Sequence, residues 1–140
     1  MGDTILTVKR EPPTPLSAAS TEVTLVNFED LCAADGGYIP QDQVRRLTVN
    51  AVADTGVCHL VIDEETREKL GLRVEKTVAV ALADGRNIPG GITETVMVCW
   101  KDRDTPCAAL VLPDEEGITL GRLPLFGLNL TMEPQKDPRD

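Results

Sequence analysis

One run of this chain combines residue types and spacing that can do chemistry: Val52-Ala53-Asp54-Thr55-Gly56, a carboxylate carried by an apolar strand into a tight turn. Gly56 lets the backbone turn sharply and come close to a ligand or a second loop. The Thr55 hydroxyl can donate to, or accept from, a neighbouring backbone group. Standing alone, the tripeptide reads as an ordinary turn after a strand, because Asp, Thr and Gly are all turn residues. The other reactive side chains are less organised. Cys32, Cys58, Cys99 and Cys107 show no C-x-x-C spacing, and the single His59 cannot complete a usual Cys/His zinc set. Reduced, unligated thiols are the expectation, with no metal and no cofactor; a zinc site built from all four scattered thiolates is the formal alternative. Asp63, Glu64, Glu65 and Glu68 read as helix-cap and surface charge, and Asp114-Glu115-Glu116 as a solvated turn.

The Asp54 turn needs elements to hold it. Residues 44–53 alternate, with Leu47, Val49 and Ala51 on one side, which is the pattern of a half-buried strand ending at the turn. After it come a short β-prone run at 59–62, with His59 half-buried, and a helix capped by Asp63, with Glu64 and Glu65 in its first turn. Gly71 closes that helix, flanked by Leu70 and Leu72. Val78, Val80 and Leu82 then alternate on a strand, Asp84-Gly85 signals a hairpin, and residues 92–100 supply a long return strand. A polar turn at 101–105, a strand at 107–112, an acidic turn at 113–117, the run Ile118-Thr119-Leu120-Gly121 and a last strand at 128–132 complete this region. Upstream, residues 4–9 read as a strand, the proline-rich stretch 11–17 as a loop, 22–27 as a strand with Val23 and Leu25 on one side, and 28–34 as a helical turn. The chain thus divides into an N-terminal extension at 1–43, a main domain at 44–132 and a charged, disordered tail at 133–140.

The order of these features, more than any one of them, carries a resemblance. Apolar strand, Asp54-Thr55-Gly56, short strand, helix ending in Lys69-Leu70-Gly71-Leu72, hairpin with Leu82-Ala83-Asp84-Gly85, then Ile118-Thr119-Leu120-Gly121-Arg122 together resemble the retropepsin-like aspartic proteases, in particular small bacterial and retroelement-type members. The resemblance covers residues 44–132. It implies an all-β, closed acid-protease barrel with one short helix after the catalytic strand and a β-hairpin flap. It also implies a peptide-hydrolysing homodimer in which Asp54 of each copy supplies one of two catalytic carboxylates, because the chain holds one Asp-Thr-Gly and is too short for two lobes. Thr55 would brace the paired loops and Gly56 would offer its backbone to a polypeptide substrate. Val57 and the hairpin residues Ala83, Asp84, Gly85, Arg86 and Ile88 would contact that substrate, with Gly85, Gly90 and Gly91 as hinges. For Asp84-Gly85 the plain alternative is a hairpin turn and nothing more. Leu120, Gly121 and Arg122 would form the second signature, with Gly121 beneath the catalytic loop and residues 123–126 as a short helix. The chain departs from the retroviral pattern at Cys58, which stands where those enzymes often place the acidic partner of the signature arginine. Arg122 therefore needs another partner, Asp63 or a backbone carbonyl, and Cys58 reads as an inert, buried thiol, with a redox-sensitive one as the alternative.

Composition bounds the rest. The chain has 140 residues with a formal net charge of −9, a field that repels nucleic-acid backbones and anionic lipid headgroups. Aromatic residues make up 3 %, too few for base-stacking surfaces. With no long apolar run and no basic, hydrophobic N-terminus, the expected location is cytoplasmic. Two rivals stand beside the protease reading. One is a catalytically silent relative serving as a dimerisation or peptide-binding module; the other is an unrelated β domain binding small ligands.

Overall fold

The computed structural model describes residues 11–113 and 116–132. The expected strand at 4–9 and the tail at 133–140 lie outside these. Nine strands and three short helices follow one another among the described residues. Strand β2 (Ser20–Asn27) and β3 (Arg46–Ala53) run antiparallel, with Val23 opposite Val49 and Leu25 opposite Leu47. Their alternating burial places Ala51 and Ala53 inside and Asn50 and Val52 outside, as the period of two requires. Strand β4 (Leu60–Ile62) is buried along its whole length between β8 (Ile118–Leu120), antiparallel to it, and β7 (Arg103–Val111), parallel to it. A strand covered on both faces has to be a continuous apolar run, and Leu60-Val61-Ile62 is one.

Strands β5 (Val74–Ala81) and β6 (Asn87–Trp100) form a long antiparallel hairpin. The order in the main sheet is β2-β3-β8-β4-β7-β6-β5, and β2 also pairs with β6. That second pairing, Leu25 opposite Val98 and Val26 opposite Met97, closes six strands into a ring with β5 on the outside. Closure covers the edge that β2 would otherwise leave open, and β5 stays as the edge strand. The fold is the all-β, retropepsin-like one that the motif order implies. Its core is aliphatic, with Leu25, Leu60, Ile62, Leu70, Leu120 and Val98 sealed from solvent. The single Trp100 adds its ring to that core and donates its indole N–H to the Thr21 hydroxyl at 2.9 Å.

The helices are α1 (Phe28–Asp35), α2 (Glu64–Leu70) and α3 (Arg122–Gly127). Helix α2 is the one expected after the Asp54 strand, with β4 between them; α1 and α3 stand where short helical turns are expected. Asp63 caps α2 by accepting the Thr66 N–H at 2.8 Å, and Gly71 ends it in the left-handed region at φ 64°. The buried Asn27 caps α1 through its Oδ1 and donates its Nδ2 to the Leu70 carbonyl at 2.8 Å, joining the two helices. Val26, Ala34 and Val44 seat α1 over β2 and β6.

One expectation is corrected. The proline-rich stretch is not all loop: Thr14–Leu16 forms β1, which runs parallel to β9 (Leu130–Met132) in a separate two-stranded sheet. An edge strand tolerates Pro15 because a residue there can leave its N–H side toward solvent. Arg103 fastens the pair by donating to the Leu128 and Asn129 carbonyls and to the Thr14 hydroxyl. Strand boundaries also shift at two places. The return strand of the hairpin begins at Asn87 and not at residue 92, and β7 begins at Arg103, so the expected polar turn shrinks to the two residues 101–102, with Lys101 at φ 51°.

Candidate active site

Asp54 leaves the end of β3 where β8 runs parallel to it, Ala53 opposite Leu120. Its backbone N–H donates to the Leu120 carbonyl at 3.0 Å, so the turn is attached to the neighbouring strand before it leaves the sheet. The Asp54 Oδ1 accepts the Gly56 N–H at 2.8 Å, and the Val57 N–H reaches the Asp54 carbonyl at 3.3 Å. This local hydrogen bonding is the usual behaviour of a turn aspartate. It leaves one carboxylate oxygen facing outward, and Asp54, Thr55 and Gly56 are all exposed.

A second segment is zipped to the first. The N–H groups of Gly121, Arg122 and Leu123 donate in turn to the carbonyls of His59, Val57 and Cys58, at 3.0, 2.8 and 2.9 Å. The two backbones lie so close that a methyl group at Gly121 would be driven into the His59 and Val57 carbonyl oxygens. Gly121 is therefore required by close approach and not by a special dihedral angle. Arg122 donates its Nη1 to the Thr55 carbonyl at 3.3 Å. Of the two partners left open by Cys58, the structure thus has a backbone carbonyl and not Asp63, whose oxygens accept from Thr66 and Gly117.

Beneath the hairpin lies a separate apolar cluster: Val61, Leu110 and Leu112, with Val57, Val78, Val80, Ile88 and Ile92 packed on it. Val57 joins this cluster to the Asp54 turn, and Ile88 joins it to the hairpin. The hairpin tip is built from its own contacts. The Leu82 N–H donates to the Arg86 carbonyl, the Gly85 N–H to the Leu82 carbonyl, and Asp84 accepts from the Arg86 N–H at 3.0 Å and from its Nε at 2.6 Å. Gly85, at φ 88°, takes the left-handed conformation that the turn demands. Ala83, Asp84, Gly85 and Arg86 are exposed and project away from the ring at the end of the two strands.

The sites expected from sequence therefore fall into two groups. Asp54, Thr55, Gly56 and Val57 are brought together with Leu120, Gly121 and Arg122 by hydrogen bonds. Ala83 to Arg86 form a tip, and Ile88 beside it packs on the apolar cluster that Val57 shares. Gly90 and Gly91, expected as hinges, lie inside the paired hairpin, opposite Val78 and Thr77. Added side chains there would press on Val80 and Leu110, and on Val74, so close packing requires these glycines. Sequence reasoning did not single out Val61, Leu110 and Leu112, the residues on which Val57 and Ile88 pack. Their signal was the continuous apolar runs at 60–62 and 107–112, which read as core until the topology shows that part of them packs against the hairpin.

The four thiols are free. Burial pushes the Cys107 thiol up to about 11 and raises that of Cys99 as well. Cys58 is half-buried in the stretch that Gly121 and Leu123 bridge.

Residues 41–129 match the family described as aspartyl protease. Among solved structures, the EIAV protease complexed with the inhibitor HBY-793 is similar over 94 % of this chain and 100 % of its own, with a TM-score of 0.53 and 19 % identity. The retroviral protease-like domain of Ddi1 from Leishmania major aligns over 54 % of this chain and 63 % of its own, with a TM-score of 0.40 and 23 % identity. The protein Lpg0085 of unknown function from Legionella pneumophila aligns over 64 % and 83 %, with a TM-score of 0.43 and 14 % identity. No curated protein matches the chain significantly.

Proposed function

Because this chain belongs to the aspartyl protease family, we propose that it is a homodimeric aspartic endopeptidase whose two catalytic carboxylates are Asp54 and the Asp54 of a second copy. The observation that carries this reading is the exposed Asp54 carboxylate, on a turn clamped to Gly121 and Arg122 and with one local hydrogen bond from Gly56. A peptide bond is cleaved by general acid–base chemistry only when one group takes a proton from water while another gives one to the amide carbonyl oxygen. One carboxylate cannot do both at once. Two brought together by a two-fold axis can, one serving as the base and the other as the acid.

In this mechanism the ionised Asp54 takes a proton from the water as its oxygen attacks the carbonyl carbon. The protonated Asp54 of the second copy stabilises the developing oxyanion. The tetrahedral intermediate then collapses, the C–N bond breaks, and the leaving nitrogen receives the proton. Val57 and Ile88 offer apolar surface to the substrate chain. The hairpin with Ala83, Asp84, Gly85 and Arg86 at its tip folds over it and excludes water.

Incubation with an unfolded polypeptide over acid to neutral pH tests the reading. Wild type should cleave, and Asp54→Asn should lose about 10²–10⁴-fold in rate while keeping its circular dichroism spectrum, since an amide oxygen can still accept from Gly56. Equal cleavage by the two proteins would remove Asp54 from the chemistry. No cleavage by either would favour the silent peptide-binding module.

A further inference from the structure

Among the described residues one charged side chain is buried, and no step of the mechanism above uses it: Glu94, at 8 % exposure. A carboxylate held away from water needs a partner. Glu94 has one in Arg73, the residue before β5, whose Nε donates to its Oε2 at 2.7 Å. The backbone doubles this contact, with the Glu94 N–H donating to the Arg73 carbonyl at 3.0 Å. The same guanidinium also donates to Glu29 of α1 at 2.8 Å. The pair sits where β6 changes register with both of its neighbours. Against β7, Thr93 and Glu94 together face Ala109, and against β5 the extra residue is Glu75, between Val74 and Lys76. Bulges bend a strand and re-aim what lies beyond them. The buried Thr93 hydroxyl fills the gap on the β7 side, accepting the Ala109 N–H at 3.1 Å and donating to the Glu94 carbonyl at 2.8 Å. Toward the tip, residues 87–90 of β6 pair with β5 alone.

Resting on the endopeptidase reading above, we infer that Arg73 and Glu94 are positioning residues for that reaction: their ion pair, set in the double bulge, fixes the angle that the hairpin makes with the Asp54 turn. The hairpin carries Val78, Val80 and Ile88, which pack in one cluster with Val57, three residues after Asp54. A hairpin that turned at its root would carry these side chains away from Val57. The root is where turning is easiest, because a bulge interrupts the ladder of backbone hydrogen bonds. The ion pair spans that point, with Glu94 on β6 and Arg73 on the segment that leads into β5. Its second bond runs to α1, which Val26, Ala34 and Val44 seat on the ring. An apolar residue at position 94 would fill space equally well. A charged pair adds direction, because a guanidinium meets a carboxylate in a restricted geometry.

The test combines amide hydrogen exchange with peptide-cleavage kinetics for wild type, Arg73→Gln, Arg73→Lys and Lys69→Gln. Arg73 is exposed, so its replacement leaves no cavity. Lys69→Gln removes an exposed ion pair with Glu65 on α2 and is the control. In Arg73→Gln, exchange across residues 77–90 should quicken while β3 and β8 keep their wild-type protection. With the competent pose reduced to about a tenth of the population, KM should rise about tenfold and kcat should change little, because a bound substrate closes the hairpin again. Arg73→Lys keeps a cation within reach of Glu94 and should recover most of both losses, and Lys69→Gln should match wild type. An Arg73→Gln protein with wild-type exchange and KM would overturn the role of the pair and leave the Asp54 mechanism standing. So would exchange that quickens equally in β3 and β8, which would make the pair a prop for the whole ring. A wild type that cleaves no peptide, even with a hairpin that loosens in Arg73→Gln, would overturn the endopeptidase reading and this role within it.

Discussion

At the scale of single residues, the site depends on two small groups as much as on the carboxylate. Asp54 is aimed by Gly56, whose N–H fixes one oxygen and leaves the other outward. The turn is held in place by Gly121, whose missing side chain allows three successive hydrogen bonds to form between the two segments. Gly121→Ala should therefore cost about 1–3 kcal/mol or more, because the obstacles are backbone carbonyls that cannot rotate aside. Urea unfolding measures that loss, and cleavage should fall further than stability does because the Asp54 turn is what moves. A variant as stable as wild type would mean that the two segments are not packed this closely. Arg122 works at the same scale. With Cys58 in the place of an acidic partner, its guanidinium holds the Thr55 carbonyl, so the loop is braced through backbone and not through an ion pair.

At the scale of elements, helix α2 shows how a cap links separate parts of the chain. Asp63 accepts from the Thr66 N–H within the helix and from the Gly117 N–H in the turn before β8. Burial opposes ionisation of this carboxyl, but the hydrogen bonds with Thr66 and Gly117 and the nearby Lys69 charge outweigh it and hold the group below its ordinary value of 3.8. A carboxyl whose folded value is lowered adds stability that is complete above its unfolded value and is lost as the pH falls through the folded one. Asp63→Asn should thus be less stable than wild type at pH 6, and the gap should close as the pH drops below 3.8. Urea midpoints for both proteins at several pH values would show it; a gap of constant size would mean that the charge of Asp63 contributes nothing. This cap was legible in the sequence, because Asp before Glu64 and Glu65, with Gly71 at the far end, is a local pattern. Its bond to Gly117 was not legible, since 54 residues separate the two partners. The same contrast holds for β1, where three prolines at positions 12, 13 and 15 hid a strand that exists because Arg103 and β9 are there to receive it.

At the scale of the whole molecule, charge and closure act together. The β2–β6 pairing turns the sheet into a ring, and most of the acidic side chains among the described residues are exposed. Two copies paired as proposed would carry that repulsion with them. Raising the salt from about 0.01 M to about 1 M shortens the screening length from about 30 Å to about 3 Å. The dimer should therefore tighten with salt, as sedimentation at several ionic strengths would reveal. A dimer that weakens with salt would instead place opposite charges across the contact.

The sequence by itself determined the local devices. These are the alternation along residues 44–53, the Asp63 and Gly71 ends of α2, the Asp84-Gly85 turn, and the two signature runs at Asp54 and Gly121, all of which depend on neighbours a few positions apart. Only the tertiary structure decided that Gly121 lies against His59 and Val57, that Arg122 takes the Thr55 carbonyl, that Gly90 and Gly91 sit against Val80, Leu110 and Val74, and that β2 closes the ring on β6. Those outcomes rest on close approach between segments far apart in the chain, and a pattern of side chains along one segment does not specify which other segment will come to lie against it.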